Sequence, residues 1–188
     1  MSSSELPGSA REQLLGVARE SIASKLWRGE RLTVHPEDFD PELRVPRASF
    51  VTLHRRGDLR GCIGSLEATR PLVTDVCENA RAAAFSDPRF PQLAAGEFDQ
   101  LSISISVLSP PVDIDFQDEA DLISQLRPAI DGVVLRDGAL RGTFLPSVWE
   151  SLPDPASFLS HLKQKAGLPA DHWSDTLKAY RYTTESFG

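Results

Sequence analysis

Ala10, Leu14, Ala18, Ile22 and Leu26 recur every four residues, with Leu15 and Trp27 beside them. This spacing predicts an amphipathic helix over 10–28 that closes near Gly29. The stretch 34–46, rich in proline and acids, reads as a loop. A strand-like run over 48–54 then meets Arg55-Arg56-Gly57-Asp58, and a second run, Leu59-Arg60-Gly61-Cys62-Ile63-Gly64, follows it. Two such runs around a short glycine-bearing turn predict a β-hairpin. Leu72, Val76, Ala80 and Ala84, with Val73 and Cys77 alongside, mark another helix. Pro71 suits its first turn, where a missing N–H sacrifices no intrahelical bond. Pro88 disfavours helical geometry in the residue before it, so the helix ends by Asp87.

The clearest strand signal is Leu101-Ser102-Ile103-Ser104-Ile105-Ser106-Val107, in which every second residue is aliphatic and every other one is serine. One face of that strand packs on a core and the other meets water or a cleft. A short helix is expected over 118–127. Runs at 132–135 and 140–145 flank Asp137-Gly138, which predicts a second hairpin with a type I′ turn. Asp154 reads as an N-cap with Pro155 at the first helical position, and Gly167 as the stop of that helix. The run 177–184 reads as a last strand. No regular βαβ order emerges, so the expected class is α+β: a mostly antiparallel sheet flanked by helices, with a smaller second subdomain.

Composition narrows the picture. A chain of 188 residues, 40% hydrophobic and 25% charged, is long enough to bury a core without staples. Its two cysteines, Cys62 and Cys77, show no Cys-x-x-Cys spacing, so neither a disulfide framework nor a structural zinc site is expected. His35, His161 and His172 show no metal-ligand spacing. No P-loop, dinucleotide fingerprint or Gly-x-Ser-x-Gly elbow is found, and no cofactor is expected. The opening Met1-Ser2-Ser3-Ser4-Glu5-Leu6-Pro7-Gly8 has neither the basic start nor the apolar run of a signal peptide, and no stretch approaches the roughly 20 apolar residues of a membrane span. The expectation is a cytoplasmic protein with no membrane partner: a flexible stretch over 1–7, then one domain over 8–186. Twenty basic against 27 acidic residues give a net charge of −7, which argues against nucleic acid as a partner.

The segment 59–64 is where local rules are strained. Two glycines bracket Cys62 inside a strand, and glycine there marks a bulge or a close approach by backbone or ligand. Strand alternation puts Arg60 on the face of Cys62, where a guanidinium favours the nucleophilic thiolate. The competing reading makes Cys62 a small buried hydrophobe. His54, the nearest candidate base, depends on register. A regular hairpin puts Cys62 opposite Val51 and turns His54 away, whereas a one-residue bulge reverses this. Asp87-Pro88-Arg89-Phe90-Pro91 is the second dense feature, either a preorganised wall for a site or a helix-ending loop in which Arg89 pairs locally with Asp87. Cys77 belongs to the core. Gly142-Thr143-Phe144-Leu145-Pro146 is a further candidate pocket lining, and Lys163 and Lys165 suit a helix C-terminus.

With these residues in view, the chain resembles the AMMECR domain family, in its bacterial form known as AmmeMemoRadiSam system protein A. The resemblance rests on 59–64, on Asp87-Pro88-Arg89-Phe90 and on Ile105-Ser106-Val107-Leu108-Ser109-Pro110. It continues through Asp131-Gly132-Val133-Val134-Leu135, Gly142-Thr143-Phe144-Leu145-Pro146 and Lys165-Ala166-Gly167-Leu168. These blocks keep their order over nearly the whole chain. The resemblance implies a larger antiparallel sheet with helices, a smaller flanking subdomain, and a cleft lined by 59–64. That cleft is expected to involve Gly61, Gly64, Asp87, Arg89 and Phe90, with Cys62 and Arg60 as the reactive pair. It further implies an association with a Memo-like protein and a radical-SAM protein, and it brings no established reaction. The chain departs from the bacterial pattern at Ser147, where glutamine is usual. Three functional expectations follow. The first is an accessory component presenting Cys62 to a small molecule or partner, the second a thiol enzyme with Cys62 as nucleophile, and the third, drawn from fold analogy and opposed by the charge, a nucleic-acid binder.

Overall fold

The four-residue repeat of the first helix is realised in α1 (Gly8–Ala23), which buries Ala10, Leu14, Ala18 and Ile22. A wider π-helical turn, Ser24–Arg28, continues it until Gly29 takes a left-handed conformation at φ 71°. That turn breaks the 3.6-residue phase, and Trp27 ends 60% exposed with its ring edge-on to Phe98. The computed structural model describes residues 5–188. Of the stretch expected to be flexible, 1–4 lie outside the described residues. Leu6 corrects the expectation within it: the side chain is buried, and its N–H donates to the Glu185 carboxylate at 3.0 and 3.1 Å. The presumed loop 34–46 contains a helical turn, Pro36–Asp38, and the short helix α2 (Pro41–Arg44) that buries Leu43. Each starts on a proline whose fixed φ suits a first helical position.

Two compact units follow from the chain's contacts. One comprises the described residues up to Ser109 together with Glu185–Gly188, and the other Pro110–Thr184. The first holds β1 (Ser49–Arg55), β2 (Asp58–Gly64), α3 (Leu72–Phe85), a 3₁₀ turn Ala95–Gln100, β3 (Leu101–Leu108) and β8 (Thr184–Phe187). The second holds β4 (Val112–Ile114), α4 (Glu119–Gln125), β5 (Gly132–Asp137), β6 (Leu140–Phe144), α5 (Pro155–Lys165) and β7 (Lys178–Tyr182). Each unit has its own four-stranded sheet, in the orders β2-β1-β3-β8 and β4-β7-β5-β6. The expected α+β class of antiparallel sheet and helices is what the chain adopts, its strands divided between two sheets, and the run 177–184 is not one strand. It breaks at Thr183, with β7 joining one sheet and β8 the other.

The two hairpins turn differently. Arg56 and Gly57 both have positive φ, 53° and 89°, as a type I′ turn demands. In the second hairpin the loop is Gly138-Ala139 and only Gly138 is positive, at 58°, which is the type II′ requirement rather than the expected I′. Asp154 caps α5 as its sequence suggests, accepting from the Ser157 N–H at 2.9 Å. Gly167 at φ 87° closes that helix while the Leu168 N–H returns to the Lys163 carbonyl.

Val51, Leu53, Ile105 and Val107 project from one face of the first sheet into a core shared with Leu14, Ile22, Val73 and Val76 of α1 and α3. Each such side chain, fully buried, contributes about 1.5–3 kcal/mol, so this face is fixed against the helices. One buried polar cluster ties the ends of β1 and β2 to α3. The Asp75 carboxylate accepts from the Ser49 N–H and hydroxyl, from Asn79, from Ser65 and from Arg70. In the second unit Val133, Leu135 and Ala179 meet Phe158, Leu159 and Leu162, and Trp149 stacks on Phe158 at 3.7 Å. Among the described residues no helix is long and apolar enough to cross a membrane.

Candidate functional site

A bulge at Arg60 decides the geometry around Cys62. Leu53 pairs with Gly61 but His54 pairs with Leu59, so one extra residue lies on β2. Cys62 therefore stands opposite Thr52 instead of Val51, and Thr52 stands in turn opposite Ser104. Because directly paired residues share a face, the face turned away from the helices carries three rows. They are Leu59–His54–Ser102, Cys62–Thr52–Ser104 and Gly64–Phe50–Ser106. The serine face of β3 and the Cys62 face of β2 are one surface, with His54 on it. Cys62 is half-buried there, and its sulfur lies 3.2 Å from the Thr52 hydroxyl, a hydrogen bond in which either group can donate.

The loop after α3 holds the backbone of Cys62. β2 is an edge strand, and the Cys62 N–H, which no neighbouring strand reaches, donates to Asp87 Oδ2 at 2.9 Å. The Cys62 carbonyl accepts from Arg89 Nη2 at 3.4 Å. Asp87 is only 5% exposed and also accepts from the Arg89 N–H, Nε and Nη2 at 2.8–3.0 Å. The Arg89 guanidinium, helped by the two backbone donors, holds the Asp87 carboxyl well below the usual carboxylate range against the burial that opposes ionisation. Arg89 is in turn raised, chiefly by its hydrogen bond to Asp87. The Asp87–Arg89 pair is local, and the loop also serves as a one-residue substitute for a neighbouring strand.

Arg60 does not turn towards the thiol. Its guanidinium, in a residue 7% exposed, grips Glu97 through Nε at 2.9 Å and Nη2 at 3.0 Å, while Arg55 reaches the same carboxylate at 3.1 Å. Arg60 and then the Ala94 N–H and Arg55 lower the Glu97 pKa to about 2, against its burial. The Phe90 ring bridges the two arginines, with Arg60 Cζ 5.9 Å and Arg89 Cζ 5.5 Å from its centroid. The guanidinium that reaches Cys62 is that of Arg89, and it meets the backbone carbonyl. The expected Arg60–Cys62 partnership is corrected because the bulge at Arg60 displaces the alternation on which it rested.

The two glycines of the motif point opposite ways. A Cβ on Gly61 would lie 2.1 Å from the Ala83 carbonyl oxygen, so Gly61 faces α3 and lets helix and strand touch; it lies in the core and not on the Cys62 surface. A Cβ on Gly64 would fall 2.2 Å from the Phe50 ring, which lies over that glycine beside Cys62. Cys77 is core, 2% exposed, and burial pushes its thiol up. Gly142 and Phe144 face the second unit's core, where Gly142 abuts Ala166 and Phe144 meets Phe158 edge-on, while Thr143 is buried with its hydroxyl bonded to the Val133 carbonyl and the Tyr182 hydroxyl. Lys163 stands in the last turn of α5 as expected, but it is fully buried and donates to Glu119 at 2.5 Å. His35 and His161 are exposed, Ser147 is exposed, and His172 is tied to Asp137. Sequence reasoning missed Thr52 and Glu97. Thr52 follows from the bulged register, and Glu97 carried only the local signal of an acid three residues into a helical turn, where it accepts from the Ala94 N–H.

Comparison with known proteins places these residues in a lineage. The family model described as AMMECR1 matches residues 15–187. A protein of the archaeon Methanothermobacter thermautotrophicus is 37% identical over 180 residues, covering 93% of this chain and 91% of its own. One from the bacterium Thermotoga maritima is 38% identical over 158 residues, with 82% and 86% covered. The crystal structure of the uncharacterised protein PH0010 from Pyrococcus horikoshii superposes with a TM-score of 0.84 at 34% identity, covering 96% of this chain and 92% of that one.

Proposed function

The chain belongs to the AMMECR1 family, and from that premise we propose that it is a binding component which presents the Cys62 face of its first sheet to a small molecule or a protein partner. The observation that carries this reading is the doubly clamped backbone of Cys62. Asp87 and Arg89 hold its N–H and C=O in place while its side chain stays half-exposed on a polar face with Thr52, Ser104 and His54. A residue that needed only to fill space would require no such clamp. The resemblance to the bacterial AmmeMemoRadiSam form supplies the partner classes, a Memo-like protein and a radical-SAM protein, and a cytoplasmic setting. The test is co-expression with the Memo-like and radical-SAM proteins of the same organism, followed by size-exclusion chromatography before and after alkylation of Cys62. Co-elution that alkylation disrupts supports the reading; co-elution with neither, or a complex indifferent to alkylation, removes it.

A thiol-enzyme reading is the second one, and the bulge favours it by bringing His54 onto the face of Cys62. Rates of iodoacetamide modification against pH, read by mass spectrometry with buried Cys77 as the control, separate the two. An apparent thiol pKa well below about 8.5 that rises in His54→Asn supports the enzyme. An ordinary value indifferent to that substitution leaves a binding role.

A further inference from the structure

In the second sheet β4 and β7 pair only from Val112–Arg181 to Ile114–Ala179. Asp115 then leaves the strand, and Lys178 keeps a strand partner, Arg136, on its β5 side alone. The gap this opens is a cavity of about 440 Å³ that lies wholly within the second unit. That volume is within the range of small-molecule sites. One wall is 113–117, and the other runs between 173 and 180. Both walls are held by hydrogen bonds that leave the cavity's acids unused. Gln125 Nε2 donates to the Asp115 carbonyl at 2.7 Å, and the Gln117 N–H donates to Asp121 at 2.9 Å. On the other wall His172, Ser174 and Thr176 are tied to Asp137 at 2.6–2.7 Å, and the residues between them, Trp173 and Asp175, line the cavity.

The lining has an apolar part and a charged part. Phe116 and Trp173, half-buried against the core of the unit, meet edge-on with ring centroids 5.5 Å apart, and buried Ile114 and Leu177 add to the apolar lining. Fully buried Lys163 lies 5.7 Å from the Trp173 centroid, but Glu119 matches its charge at 2.5 Å, so it leaves the charge of the cavity unchanged. Asp113, Asp115 and Asp175 are exposed, and among the described residues their carboxylates have no hydrogen-bond or ion-pair partner. Lys178, which also lines the cavity, is likewise without one, so three carboxylates against one ammonium leave two negative charges. Among the described residues no three acids, histidines or cysteines are grouped as a metal ion requires. Unused carboxylates set around an aromatic pair in a concavity instead match an organic ligand that is cationic at its ends and apolar between them. We propose that this cavity is a binding site for a small aliphatic dication of the diamine or guanidino-amine class. Asp115 on one wall and Asp175 on the other take the two charged ends, and the methylene chain lies along Phe116 and Trp173. A guanidinium end adds bidentate hydrogen bonding to a carboxylate. Asp113 adds to the negative field, and Lys178 opposes it.

The probe is agmatine, a guanidinium and an ammonium joined by four methylenes, titrated calorimetrically into the full chain at low ionic strength. Its control is N-carbamoylputrescine, which has a neutral urea in place of the guanidinium. The expected result is saturable one-to-one binding of agmatine, at least about tenfold weaker for the urea analogue, as the loss of a charge-assisted hydrogen bond implies. The Asp115→Asn/Asp175→Asn double variant should weaken agmatine by at least the same factor at an unchanged urea midpoint, because neither carboxylate has a partner in the fold. Lys178→Gln should bind agmatine at least as tightly as the parent. The comparison of the two ligands on the unsubstituted protein holds whatever a variant does to folding. No saturable binding, or uptake of several equivalents as diffuse attraction to a chain of net charge −7 would give, overturns the proposal. So does equal affinity for the urea analogue, undiminished binding by the folded double variant, or weaker binding by folded Lys178→Gln.

Discussion

The N–H of Cys62 and the carboxylate of Asp87, 25 residues apart, meet at 2.9 Å along the outer edge of β2. Sheet edges expose unpaired donors and acceptors that invite wrong pairing. Here the loop after α3 covers one such donor with a carboxylate and the adjoining acceptor with Arg89, and in doing so fixes the strand where its cysteine projects.

Removing that carboxylate strands the Cys62 donor and frees Arg89. Asp87→Ala should lower the unfolding free energy by about 2–4 kcal/mol, the scale for breaking a buried, charge-assisted network, and Asp87→Asn by less. Urea denaturation measures it. Faster amide exchange at Cys62 in the variant would locate the loss on the strand edge.

Acid should act through the same groups. Both Asp87 and Glu97 are more acidic folded than unfolded, so each contributes stability above its unfolded pKa of about 4 and loses it as pH falls through the lowered folded value. For Glu97 that window runs from about pH 4 down to about 2. The expected record is a stability plateau above pH 5 and a decline below pH 4 that is shallower in Asp87→Ala than in the parent.

Gly61→Ala tests the contact between helix and strand. Its methyl would press on the backbone oxygen of Ala83, which cannot swing aside, so a loss of about 3 kcal/mol is expected. Gly64→Ala meets only the Phe50 ring, a movable side chain, and should cost less. Equal urea midpoints for the two variants would contradict this account.

In the second unit Asp137 gathers His172 Nε2 at 2.6 Å, the Ser174 hydroxyl at 2.7 Å and the Thr176 hydroxyl at 2.6 Å. Thr176, Ser174 and His172 together lower its pKa to about 2. The clasp is therefore in place above about pH 4 and released as pH falls towards 2. Asp137→Ala should open the segment 172–177 at neutral pH, seen as faster amide exchange and new proteolytic cuts there.

Much of this was written in local chemistry. Strict alternation in 101–107 marked one aliphatic and one serine face, the four-residue repeat marked α1, and Asp154 and Gly167 marked the two ends of α5. Those features depend on neighbours within a few residues, so the sequence by itself determined them, along with the α+β class and the prominence of 59–64. The tertiary structure alone decided the rest. A one-residue bulge at Arg60 exchanged Val51 for Thr52 opposite Cys62 and brought His54 onto its face. The same bulge left Arg60 with Glu97 and not with Cys62, while a break at Thr183 divided one expected strand between two sheets. The side-chain period of a strand is two, so a slip of a single residue inverts every facing, and nothing local to Cys62 encodes which register the rest of the chain will stabilise.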